Sequence, residues 1–153
     1  NMIESGRKIN EKMPDYVVKL TSDAFKECNK SLENSEILIL GVSYKPNVKD
    51  IQLSPAKIII KKFQDLGANV HVYDPFFSST KVFDLKVEDN LENILPKMDG
   101  AVIVTGHDDF KKIPISSFAK MKSQILIDTR GIIDPISAKK EKLIFRGLGR
   151  GNS

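Results

Sequence analysis

The chain has no tryptophan, one cysteine and two histidines in 153 residues. Cys28 has no partner for an internal disulfide, and so few soft ligands spell out no zinc cluster. No apolar run is long enough to span a bilayer, and no secretory pattern is present. Aromatics make up only 7% and never interleave with a basic run. The net charge of +4 therefore fits an anionic ligand without calling for nucleic acid. No internal repeat or low-complexity segment stands out. What is present is a 41% apolar fraction, enough for a globular core, in a length suited to one domain plus an extension. A soluble cytoplasmic protein, with neither membrane nor nucleic acid as partner, is the expectation.

The organising stretch runs from Glu36 to Leu66. Ile37 to Leu40 is an unbroken apolar run, as a parallel strand covered on both faces requires. Ser54 is a good N-cap and Pro55 suits the first helical position. Ala56, Ile59, Ile60, Phe63 and Leu66 then recur at helical spacing, and Gly67 can end the helix. Further strands are expected at Asn69–Tyr73, Gly100–Thr105, Gln124–Asp128 and Leu143–Phe145, with a short one within Thr80–Val87. Between them lie a brief helix cut off by Pro96, a helix broken at Pro114, and another started by Asp134-Pro135. Residues 1–34 read differently, as helices. Met2, Ile3, Ile9 and Met13 give a loose apolar pattern. Pro14 fits the first turn of a second helix, whose face carries Val17, Leu20, Ala24, Phe25 and Cys28. A start in helical pattern without a cap reads as the end of something longer. That face either mediates self-association or folds back on the sheet. The expected fold class is α/β: a Rossmann-like three-layer sandwich over residues 35–153, with a mostly parallel sheet, the first strand central and helices preceding it.

In such a sheet ligands bind beyond the carboxyl ends of the strands, where the winding reverses. Lys45 and Arg130 each follow a strand, and Tyr44 adds a flat ring. Two cations and an aromatic at one crevice suit a phosphate-bearing ligand with a planar group. The alternative makes Lys45 a solvated loop residue and pairs Arg130 with Asp128 or Asp134. Gly41 is not followed by the glycines of a dinucleotide fingerprint, so the topology alone does not imply NAD. Asp74 reads as a turn or cap residue before Pro75, His107-Asp108-Asp109 as a polar loop, and Cys28 as a packed thiol with no activating neighbour.

Four stretches together resemble the C-terminal domain of the nucleotide-sugar 6-dehydrogenases, which include UDP-glucose and GDP-mannose dehydrogenases. They are Ile39-Leu-Gly-Val-Ser-Tyr-Lys-Pro-Asn-Val-Lys-Asp-Ile-Gln-Leu-Ser-Pro-Ala56, Val72-Tyr-Asp-Pro75, Ile127-Asp-Thr-Arg130 and Arg146-Gly-Leu-Gly-Arg-Gly151. Gly6 to Pro14 is similar to the stretch leaving that family's central helical segment. The Tyr-Lys-Pro-Asn loop is most similar to the branch acting on UDP-N-acetylmannosamine. The resemblance implies residues 1–34 as the end of a dimerisation domain and 35–153 as a UDP-sugar-binding domain. The implied enzyme is a homo-oligomer oxidising a sugar C6 alcohol to a carboxylate with two NAD. It implies substrate contacts at Tyr44, Lys45 and Arg130, with NAD bound mainly by an N-terminal domain. The family's catalytic cysteine lies in a glycine-rich motif absent here, so this chain alone is expected to be inactive. Gln52 stands where the family usually has an NAD-binding arginine, which leaves that contact open. A UDP-glucose enzyme, or a stand-alone nucleotide-sugar-binding or oligomerisation module, are the alternatives.

Overall fold

The computed structural model describes residues 2–52 and 54–147, with side chains from Lys12 onward. Leu53, the glycine-rich ending after Gly147 and the side chains of Met2, Ile3 and Ile9 lie outside what is described.

Five strands form one parallel sheet: β1 (Glu36–Leu40), β2 (Asn69–Tyr73), β5 (Gly100–Ile103), β6 (Ile125–Asp128) and β7 (Ile144–Gly147), in the order β2-β1-β5-β6-β7. The middle place belongs to β5, and β1 lies next to the edge strand β2. This corrects the expected central position of β1. The winding reverses between β1 and β5, so the crevice at their carboxyl ends is the switch point of the sheet. The segment expected to hold one short strand forms a separate antiparallel hairpin, β3 (Lys81–Val82) with β4 (Leu85–Lys86).

Period-two alternation sorts the strand residues into two cores. Ile37 and Ile39 face one layer with Ile59, Ile60 and Phe63 of helix α2 (Ala56–Asp65). Leu38 and Leu40 face the other with Leu95, Phe110 and Phe118. Helix α2 begins one residue later than its sequence predicts, with Pro55 at the N-cap position, while Ser54 Oγ still accepts the Ala56 N–H at 3.1 Å. It ends at Gly67, whose φ of +88° is costly for any residue with a Cβ.

The N-terminal pattern is a single helix, α1 (Met2–Glu27), with Pro14 inside it, instead of two helices meeting at Pro14. A proline removes one intrahelical donor. Here the ring is buried, and the helical face beyond it holds the helix in place. Val17, Ala24 and Phe25 are fully buried in the same layer as Ile37 and Ile39. The face beginning at Val17 therefore folds back on this chain's own sheet and α2, the second of the two expected arrangements. Cys28 is half-buried and packs against the same cluster.

Candidate functional site

The site is built where three strands end. After β1, Gly41 has φ +96°, and a Cβ there would stand 2.4 Å from Thr105 Cβ. Only glycine lets the two strand exits approach so closely. The Thr105 hydroxyl donates to the Ser43 carbonyl at 2.7 Å, and the Ser43 hydroxyl donates to the Lys45 carbonyl at 2.7 Å. The chain then turns through Asn47, whose φ is 62°. Tyr44, Lys45, Val48, Lys49, Ile51 and Gln52 all face solvent along this loop. Lys49 Nζ lies 5.8 Å from the Phe77 ring centre, a cation–π distance.

Asp74 and His107, read from sequence as a turn residue and a loop residue, are both fully buried. Asp74 does cap the turn after β2, its Oδ1 accepting the Phe76 N–H at 2.9 Å. Its Oδ2 also accepts the Val42 N–H at 2.9 Å and lies 3.0 Å from His107 Nε2. His107 Nδ1 accepts the Asn47 N–H at 2.8 Å. An amide can only donate, so these partners assign the proton to Nε2, facing Asp74. The sequence carried a faint signal of this network: aspartate at one strand end and histidine just beyond another. What hid it is that a buried polar pair and two solvated loop residues look alike without the contacts.

After β6, Asp128 is fully buried and spends its carboxylate on backbone. Its oxygens accept the N–H groups of Arg130, Gly131 and Ile133 at 2.8–2.9 Å. Asp128 is therefore not the ionic partner of Arg130 that the alternative reading required, and Asp134 is engaged as the cap of the helix Pro135–Lys140. The exposed Arg130 donates from Nε to the Val104 carbonyl at 2.8 Å, in the segment between β5 and His107. Among the described residues neither Arg130 nor Lys45 pairs with a carboxylate. The structure thus links the exit of β5 to that of β1 through Thr105 and to that of β6 through Arg130, with Tyr44 and Lys45 exposed in the loop after β1. That suits an anionic, partly planar ligand.

The same turn does not fit a dinucleotide. A pyrophosphate needs free amides and clearance above the first turn. The Gly41 N–H donates to the Tyr73 carbonyl at 3.0 Å, the Val42 N–H is held by Asp74, and Thr105 fills the space above Gly41. Gln52 is exposed, with its N–H tied to Asp50 Oδ1 at 2.9 Å. Among the described residues no cluster of three or more His, Cys, Asp or Glu could hold a metal ion, and no helix is long and apolar enough to cross a membrane.

Residues 38–135 match the model of the UDP-glucose/GDP-mannose dehydrogenase family, UDP binding domain. The chain is 33% identical to a UDP-N-acetyl-D-mannosamine dehydrogenase of Pyrococcus horikoshii, over 99% of its own length and 34% of that relative. It is 27% identical to a UDP-glucose 6-dehydrogenase of Haloferax volcanii, over 96% of its length and 33% of the relative. A solved structure of the P. horikoshii UDP-D-ManNAc dehydrogenase superposes with a TM-score of 0.82 at 32% identity, over 96% of this chain and 33% of that one. The chain thus spans about a third of the length of these relatives.

Proposed function

The chain belongs to the UDP-glucose/GDP-mannose dehydrogenase family through its UDP binding domain, and from that premise we propose that it forms the nucleotide-sugar-binding part of a UDP-N-acetyl-D-mannosamine 6-dehydrogenase. The observation that supports the reading is that Lys45, next to Tyr44 in the exposed loop after β1, and Arg130, after β6 and bonded to the β5 exit at Val104, have no carboxylate partner among the described residues. Arg130 and Lys45 bind the charged part of the UDP-sugar, and Tyr44 packs against it. In the whole enzyme two NAD accept the electrons that take the sugar C6 alcohol to a carboxylate. Because the turn after β1 has no room for a dinucleotide, NAD is held by a portion outside this chain. The catalytic cysteine is likewise outside it, so the chain alone binds and does not oxidise.

Residues 1–34 are the end of a central helical dimerisation segment, and 35–153 are the UDP-sugar-binding domain of a cytoplasmic homo-oligomer. The similarity over nearly the whole chain to the P. horikoshii protein supports the mannosamine sugar. The likeness to a UDP-glucose 6-dehydrogenase supports glucose as the second reading.

Calorimetric titration of this chain with UDP should give saturable binding that weakens with salt. Absence of binding at millimolar UDP would sink the proposal. An NADH-following assay of the full-length enzyme with each UDP-sugar in turn decides between the two sugars.

A further inference from the structure

Resting on the UDP-binding reading above, we propose that His107 is a positioning residue, setting through its Nδ1 the geometry of the loop that presents Tyr44 and Lys45 to the ligand. Its ring is fully buried between those of Phe76 and Phe110, with centroids at 4.8 and 5.2 Å. Asp74 Oδ2, 3.0 Å from Nε2, fixes the ring's rotation about its stem and keeps the proton on that side. Nδ1 is then a fixed acceptor aimed at a single backbone donor, the Asn47 N–H at 2.8 Å. The Asn47 side chain closes the contact from the other direction, its Oδ1 accepting the Asp108 N–H at 2.9 Å.

This double contact joins a loop after β1 to a loop after β5, and the two partners stand 60 positions apart in the sequence. It is made at the residue that ends the Tyr44–Asn47 turn, two positions after Lys45. The other anchors of that turn, Thr105 to Ser43 and Ser43 to Lys45, act on its near end. His107 alone among these fixes the far end from a buried, rotation-locked group. Tyr44 and Lys45 are exposed and reach the ligand only from where the turn puts them. A neutral imidazole in this place has two distinct jobs, one per nitrogen, and they can be separated by substitution.

In His107→Asn the amide oxygen falls near the Nδ1 position and keeps an acceptor for Asn47, while the link to Asp74 is lost. In His107→Gln the amide NH2 reaches the Nε2 position and keeps the link to Asp74, while Asn47 loses its acceptor. Both variants of this chain lose packing and should melt lower. UDP affinity by calorimetry should stay within about threefold of wild type in His107→Asn and fall further, toward about tenfold, in His107→Gln, the most that loss of one hydrogen bond to a buried partner can remove. Amide hydrogen exchange at Asn47 in the free protein should quicken only in His107→Gln. Equal losses of affinity that follow melting temperature overturn the proposal, as does unchanged affinity in His107→Gln with faster Asn47 exchange. If wild type binds no UDP, the UDP reading falls, and unaltered Asn47 exchange in His107→Gln then removes the positioning role as well. Should the variants not fold, the imidazole nitrogen shifts of wild type decide: a proton on Nδ1 contradicts the proposal.

Discussion

The Asn47 N–H donates to Nδ1 of the buried His107 at 2.8 Å, and the Asn47 side chain accepts the N–H of the next residue, Asp108, at 2.9 Å. Two loops leaving neighbouring parallel strands are thereby joined above the point where the sheet reverses its winding. The exposed loop of Tyr44 and Lys45 is thus anchored to the buried layer beneath it, and a ligand that binds there meets a preorganised surface.

Arg130→Ala should weaken UDP binding while leaving the fold in place. The side chain is exposed, and its one described hydrogen bond runs from Nε to the Val104 carbonyl. Loss of a charge-assisted contact to a ligand oxygen costs on the order of 1.5–3 kcal/mol, roughly ten- to hundredfold in affinity. Arg130→Lys should recover only part of it, because lysine keeps the charge and loses the planar fork. Titration with UDP and a melting curve on the same samples test this. A lower melting temperature with wild-type affinity would return Arg130 to a structural role.

Gly41→Ala should be strongly destabilising. The added Cβ would sit 2.4 Å from Thr105 Cβ and 2.8 Å from Thr105 N, at φ +96°. Backbone strain alone costs on the order of 1–3 kcal/mol, and the clash with backbone adds to it. Thr105→Ala leaves both clashing atoms in place, so the double variant should not regain stability. Urea unfolding of the single and double variants measures both; recovery in the double would show that the hydroxyl alone was in the way.

Phe25→Ala tests whether helix α1 is integral to the domain. Phe25 is fully buried in the layer shared with Ile37 and Ile39, and its truncation should cost about 3–5 kcal/mol. Tyr16, 52% exposed on the same helix, should tolerate alanine to within about 0.5 kcal/mol. Similar small effects at both positions would mean that α1 does not stabilise the sheet.

Asp99 should make stability depend on pH. Burial raises its pKa, but the Glu36 N–H and Lys30, with a further pull from Lys122, outweigh burial and leave it below 3.8. The carboxylate bonds the Glu36 N–H at 2.9 Å and Lys30 Nζ at 3.0 Å. A carboxyl whose folded pKa is depressed contributes its full stabilisation above the unfolded value, and loses it as pH falls through the lower folded one. Asp99→Asn should therefore be less stable than wild type at pH 7. The gap should hold down to about pH 5 and close below the unfolded value of 3.8. Denaturant melts from pH 7 to 3 follow it, and a gap independent of pH would rule out the charge as its source.

Much of this protein was settled by local sequence. The apolar runs of β1, β5 and β6 mark buried strands because burial follows residue type with a period fixed by backbone geometry. Ser54-Pro55 and Asp134-Pro135 mark helix starts because a side-chain acceptor and a preset φ act within one turn. The candidate cations Lys45 and Arg130 were legible because residues after parallel strands lie at one edge of the sheet. Other features were decided only when the chain closed on itself. Whether Pro14 starts a second helix or lies within one depended on the core that the far half of α1 packs against. The place of β5 between β1 and β6 is a choice among pairings that no local pattern encodes. Asp74, His107 and Asn47 meet across separations of 33 and 60 residues, and each alone reads as a turn or loop residue. Local preference acts over a few residues of backbone, whereas a buried hydrogen bond between distant loops exists only once the sheet has brought their strand ends together.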